Sequence, residues 1–138
     1  VTTGIDGKIE KAVLVGKSTA VRVYSDSTWE RSEGVSSEFP ITVNRLLVVA
    51  APGTMKALGS TSITGNIRPR TAGASVQVEK LVGKEWKPLD QAVLTDAQGN
   101  FSLTLAGQQR GVASFRVTVA SDALWNVVTS PTFNIIIR

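Results

Sequence analysis

Apolar and polar residues alternate with a period of two through much of the second half of the chain. The alternation is clearest in VQVEK, FSLTL, FRVTV and FNIII, at residues 76–80, 101–105, 115–119 and 133–137. Successive side chains of a β-strand point to opposite faces, so each segment is typical of a strand that buries one face. No stretch shows the i, i+3, i+4 spacing of an amphipathic helix. The pattern therefore predicts an all-β protein.

Turn-forming residues separate these segments, among them Pro52, Gly53, Gly83, Gly99 and Ser130. Between the turns the sequence predicts strands at residues 46–51, 60–67, 74–82, 85–89, 91–95, 99–105, 113–121 and 131–137. Seven or eight short strands in about 90 residues favour an antiparallel β-sandwich over a closed barrel.

The chain also contains an internal repeat. AVRVYSDSTW and SSEFPITV, in the first half, recur in the same order as SFRVTVASDALW and SPTFNIII, and TTGIDGKI matches TDAQGNF at the turn before them. The match covers residues 1–44 against residues 93–137. Self-similarity of this kind is typical of a modular array. We therefore expect a partial module at residues 1–45, carrying the last three strands of a repeat, and one complete sandwich module at residues 46–138.

The partial module lacks the strands that would cover its apolar face. Seven of its side chains are predicted to point inward and to form an assembly face: Ile9, Val13, Val21, Val23, Phe39, Ile41 and Val43. Leaving such side chains in water forfeits about 1.5–3 kcal/mol each. Three sources of covering strands remain open. The strands were lost when a longer protein was cut, they belong to another chain, or the complete module covers this face itself.

The composition of the chain excludes several classes of function. The chain is 42% hydrophobic and 19% charged, as in globular proteins, and has no apolar run long enough for membrane insertion. It has no Cys and no His, which removes thiolate and imidazole chemistry and most zinc sites. The turn at Asp96 offers a single carboxylate, too few for calcium. We therefore expect no enzyme, no metal and no cofactor.

The charge of the chain is modest. Residues 1–45 carry equal numbers of acidic and basic side chains, so the formal net charge of +4 arises in residues 46–138. This excess is scattered, whereas nucleic-acid binders cluster basic residues on one face, so we expect no nucleic-acid partner. The chain begins at Val1 without Met or an apolar leader, from which we expect a mature or excised piece of a longer protein.

Three side chains of the second half are candidates for ligand binding. Trp86 follows Gly83 in a predicted hairpin, where its indole either covers an edge of the sandwich or stacks on a sugar. Arg68 and Arg70 flank a proline in a loop and are candidates for holding an anionic wall polymer or glycan. For Trp86 we favour packing. For the two arginines we favour solubility of the loop, because basic loop residues usually serve only solubility.

Each copy of the repeat has a tryptophan in the loop before its last strand, Trp29 in the first copy and Trp125 in the second. Aromatic residues make up 6% of the chain, too few to indicate a flat sugar-binding face. We predict that both indoles fill one end of a sandwich or a junction between modules.

Three motifs occur in order in residues 60–137: a hairpin with Gly83 and Trp86, the turn DAQGNF at residues 96–101, and the strand FRV at residues 115–117. In this order they resemble the bacterial immunoglobulin-like and fibronectin-type-III-like repeats of secreted and surface proteins. The resemblance implies an immunoglobulin-like antiparallel sandwich and an extracellular or cell-surface location.

The resemblance also implies a structural function. Such a repeat serves as a stalk, a spacer or a self-assembling subunit, and its partners would be neighbouring repeats or identical chains bound by strand complementation. The alternative is a binding module that directs an attached hydrolase or adhesin to a glycan or cell-wall polymer.

Overall fold

A computed structural model describes residues 1–138, apart from the side chain of Asp90. All regular elements in the described residues are strands, which confirms the all-β prediction. Among these residues no helix is long and apolar enough to span a membrane. The chain divides into two compact units, unit 1 (Val1–Val43) and unit 2 (Asn44–Arg138).

Thirteen strands follow one another along the chain. They are β1 Thr19–Val21, β2 Tyr24–Ser25, β3 Gly34–Val35, β4 Phe39–Ile41, β5 Leu46–Ala50, β6 Thr54–Met55, β7 Ser60–Arg68, β8 Ser75–Val82, β9 Glu85–Leu94, β10 Asn100–Ala106, β11 Gly111–Val119, β12 Val128–Thr129 and β13 Phe133–Ile137. The first four belong to unit 1 and the other nine to unit 2.

Unit 2 is a β-sandwich of two sheets. One sheet has the order β10-β7-β5, and the other has the order β6-β13-β11-β8-β9, with β12 paired to β11. All pairs are antiparallel except the short parallel pair of β6 with β13. The predicted antiparallel sandwich is thereby confirmed.

The core of unit 2 lies between these sheets. Alternate residues of β11 (Phe115, Val117 and Val119) are fully buried, as are Leu103 on β10 and Ile63 on β7. They belong to one apolar cluster to which both sheets contribute. The period-two alternation in the sequence therefore identified the buried face correctly.

A glycine is required where β5, β7 and β10 meet. Gly65 pairs with Phe101 across the β7–β10 ladder and with Val49 across the β5–β7 ladder. A Cβ at Gly65 would overlap the carbonyl oxygen of Val48 and the ring of Phe101. The absent side chain thus lets the aromatic ring lie directly on the strand.

Residues 85–94 form one strand, β9, which corrects the prediction of two separate strands at 85–89 and 91–95. The ladder between β8 and β9 shifts register between Gln77 and Glu79 and then continues. Pro88 is accommodated within this strand because β9 pairs with β8 alone and lies at the edge of its sheet.

Unit 1 contains two short ladders, in which β1 pairs with β4 and β2 pairs with β3. In residues 1–43, all of which the structure describes, no side chain is buried. Residues 8–13 form no strand, although they match β10 in the repeat, so the prediction of three strands in this module is wrong for the first of them. The physical reason is pairing: β10 is held by β7 alone, and residues 1–43 include no counterpart of β7.

Candidate assembly site

The ladders of unit 1 have the same register as the corresponding ladders of unit 2. Val21 pairs with Phe39, and the residues at matching positions of the repeat, Phe115 and Phe133, pair in the same way. The next two pairs along these ladders also correspond, and the β2–β3 ladder has the register of the β11–β12 ladder. Both copies of the sequence therefore build the same strand arrangement.

A serine bends the chain in the same way in both units. The N–H of Val23 donates to Ser36 Oγ at 2.8 Å, and the N–H of Val117 donates to Ser130 Oγ at 2.9 Å. Each serine N–H donates back to the carbonyl of the same valine, and each hydroxyl donates to the carbonyl that follows it. This corner lies where the second short ladder ends and the last strand begins.

The turn before the missing strand is also shared. Gly7 and Gly99 both have φ near +75°, the left-handed region that glycine adopts most easily. The N–H of Gly7 donates to Gly4 O at 3.0 Å, and that of Gly99 donates to Asp96 O at 2.9 Å. Local hydrogen bonds therefore form the turn in both units, whereas the strand after it forms only where a partner strand is present.

The two copies differ at one strand edge. In unit 2, residues 115–119 pair on one side with β8, while the other side of β11 carries β12 and β13. The matching residues of unit 1 are 21–25. On the side that corresponds to β12 and β13 they pair with β3 and β4, and on the side that corresponds to β8 they pair with no strand among the described residues. We call this second side the open edge of unit 1. Unpaired backbone groups along such an edge are a template for another strand.

Apolar side chains gather beside the open edge. The seven predicted assembly-face residues are all exposed or half-buried in unit 1. Four of them line a single groove together with Lys11 and Arg22: Ile9, Val13, Val21 and Val23. The other three lie on β4 or just after it, outside the groove lining: Phe39, Ile41 and Val43.

Trp86, a candidate for sugar stacking, is half-buried on β9 in contact with a cation. The guanidinium carbon of Arg116 lies 4.5 Å from the centre of the indole ring. The same guanidinium forms an ion pair with Glu79 on β8. Arg116 thus joins three neighbouring strands on the outer face of the sheet, and the indole serves this contact.

Arg68 and Arg70 lie at a different place in unit 2. Both are exposed, and both line one open groove with Asn66, Gln98 and Asn100. Trp86 does not line this groove. The structure therefore brings the two arginines together but separates them from the aromatic side chain that a glycan site would use.

The two loop tryptophans differ sharply, which corrects the prediction that both are buried plugs. Trp125 is 7% exposed, and its backbone N–H donates to Asp122 Oδ1 at 3.0 Å. Trp29 is 93% exposed. In unit 2 the loop folds over a complete sandwich, whereas residues 1–43 provide no buried core for an indole to cover.

A buried arginine, which the sequence did not single out, holds the loop around Trp125. Arg45 is 3% exposed and donates to the carbonyl oxygens of Ala120 and Asn126. Its Nη1 also lies 3.4 Å from Asp122 Oδ2. The sequence places Arg45 directly before an apolar strand. It does not indicate that the hydrogen-bond acceptors of this side chain lie about 75 residues further along the chain.

The turn at Asp96 is an electrostatically stabilised turn. The N–H groups of Asn100 and Gln98 each donate to Asp96 Oδ1 at 2.9 Å. The bond from Asn100 is the main cause that lowers the pKa of Asp96 below 3.8, because it stabilises the ionised carboxylate. Among the described residues no group of three carboxylates gathers to hold a metal ion.

No model of a known protein family matches this chain, and no curated protein matches it either.

Proposed function

We propose that the chain is a non-catalytic structural segment of a secreted or cell-surface protein built from immunoglobulin-like repeats. In this proposal unit 2 is a finished module of a stalk or spacer, and unit 1 is a module that is finished by strands added to its open edge. One observation carries the proposal: unit 1 keeps the strand register of the complete module while its open edge stays unpaired.

Hydrophobic burial supports completion of unit 1. Each apolar side chain of the groove gains about 1.5–3 kcal/mol when it is fully covered. Four such side chains together are worth on the order of the stability of a small domain. An added strand also satisfies the backbone groups of the open edge, as β8 does for β11 in unit 2.

The roles of the charged side chains support a structural function. Arg45 holds a loop, Arg116 and Glu79 join strands, and Asp96 stabilises a turn. Each of these side chains thus contributes to holding strands, a loop or a turn of unit 2 in place. The extracellular location rests on the resemblance of the FRV strand and its preceding turn to bacterial surface repeats, and a chain without Cys is compatible with it.

The proposal is tested by supplying the missing strands. A second copy of residues 44–92 is fused ahead of Val1, so that Ala92 is followed by Val1 as it is followed by Val93 in unit 2. We expect residues 8–13 and the open edge to gain protection from amide hydrogen exchange, because β7-like and β8-like partners are then present. The emission of Trp29 should also shift to the blue as a core forms beneath its loop.

The matched control is the same fusion with Ile63→Asp in the added copy. This change places a carboxylate in the new core and should abolish the protection. If exchange in residues 8–25 is unchanged by the fusion with the native segment, unit 1 is not an incomplete module and the proposal is wrong.

A further inference from the structure

Arg116 shows how a complete module ties its strands together on the outer face of the sheet. It lies opposite Glu79 in the β11–β8 ladder and forms an ion pair with it. Its guanidinium also stacks on Trp86 of β9. The side chains of Arg116 and Glu79 are 30% and 19% exposed, so the ion pair is only partly screened by water. A planar guanidinium suits both contacts, since it stacks on rings and pairs with carboxylates at once.

Arg22 occupies the same position in unit 1. It lies between Val21 and Val23 on the open edge, as Arg116 lies between Phe115 and Val117. It is exposed and forms no ion pair with a carboxylate that the structure describes. The open edge therefore presents a fixed positive charge at the point where the complete module has its ion pair.

We infer that the open edge of unit 1 is completed by a β-hairpin that presents a carboxylate and an indole to Arg22. Resting on the proposed function, the inference adds the chemistry of the partner. The first strand of this hairpin alternates apolar and polar residues to match Val21 and Val23, and it carries an acidic residue opposite Arg22. The second strand carries the aromatic ring, in the manner of the hairpin Ser75–Leu94.

The occupant is a further repeat segment of this class rather than the hairpin of a second folded copy. In the folded chain β8 pairs with β11 on one edge and with β9 on the other. Its residues therefore cannot pair with another open edge unless unit 2 unfolds. Charge complementarity selects the same occupant, because Arg22 repels a strand with a basic residue opposite it and attracts one with a carboxylate there.

The test uses the fusion of residues 44–92 to the full chain, in which the added copy supplies its own Glu79 and Trp86. Arg22→Ala should lower the exchange protection of the amides of residue 22 and Tyr24 about tenfold, since it removes both the ion pair and the cation–π contact. These two amides face the open edge, because they alternate with the Val23 N–H, which donates to Ser36 Oγ. Arg22→Lys should retain part of the protection, because it keeps the charge but not the stacking plane.

Arg31→Ala is the matched control, because it removes an exposed arginine of unit 1 outside the open edge and should leave the protection unchanged. A Glu79→Gln change in the added copy should lower protection by less than Arg22→Ala, because it removes only the ion pair, and the two changes together should cost less than their sum. Arg116→Ala in unit 2 gives the reference value for the intact contact.

The outcomes separate the two claims. If the fusion protects unit 1 but Arg22→Ala behaves like Arg31→Ala, the inferred partner chemistry is wrong while the proposed function stands. If the fusion gives no protection, the proposed function itself fails. If the unfused chain dimerises in solution and protects residues 21–25 without any added segment, the occupant is a second copy and the inference is overturned.

Discussion

Units 1 and 2 contain the same closing strands in two different surroundings. In unit 2, Phe115 and Val117 are fully buried in the core between the two sheets, whereas Val21 is half-buried and Val23 exposed in unit 1. Register, serine corner and glycine turn are nevertheless the same in both. Hydrogen bonds within each unit therefore specify the path of this chain, while burial depends on strands that lie far away in the sequence.

The loop tryptophans should show the largest difference between the units. Trp125→Ala is expected to destabilise unit 2 by about 3 kcal/mol, because it empties a buried site. Trp29→Ala should change stability by less than about 0.5 kcal/mol, because the side chain lies in solvent. Urea unfolding followed by far-ultraviolet circular dichroism measures both. Equal losses for the two variants would show that the exposed indole has a packing role and would contradict the contrast drawn between the units.

The serine corners give a smaller difference at matched positions. Ser130→Ala should cost about 1–3 kcal/mol, because it leaves the buried N–H of Val117 without its side-chain acceptor. Ser36→Ala should cost less than about 0.5 kcal/mol, since water can replace the hydroxyl beside Val23. Chemical denaturation of both variants measures the difference. A large loss for Ser36→Ala would mean that unit 1 is already a rigid core in its own right.

The smallest effect concerns the turns and depends on pH. The folded pKa of Asp96 lies below its usual value of 3.8, so its contribution to stability is present above that value and is lost as pH falls through the folded pKa. The protection factor of the Asn100 amide, which is corrected for the intrinsic pH dependence of exchange, should therefore fall in that acid range. Gly4 stands at the matching place in unit 1 and brings no carboxylate. Asp96→Asn is the control and should remove the pH response, and a response that survives in this variant would assign it to another group.

Strands were predicted correctly from the sequence where apolar and polar residues alternate within the strand itself. The alternation of Phe101, Leu103 and Leu105 predicted both the strand β10 and its buried face. The same reasoning applied to Ile9 and Val13 predicted a strand that does not form, because strand formation needs a partner that a period-two pattern cannot reveal.

Most contacts that could not be predicted from the sequence join residues far apart in the chain. The repeat placed Arg22 over Arg116, but nothing in the local pattern showed that Glu79 and Trp86 meet Arg116 in space. The strand β9 continues through Pro88 because it lies at a sheet edge, which is a property of topology rather than of local sequence.

Arg45 has a consequence for how far the loop around Trp125 can vary. A guanidinium stays charged at any physiological pH, so once buried it must keep its acceptors. Two of these acceptors are backbone carbonyls, at Ala120 and Asn126, which every amino acid supplies. Side chains at those two positions are thus free to change, but the number of residues between them is not. Lengthening this stretch by even one residue would leave the buried guanidinium of Arg45 without its acceptors.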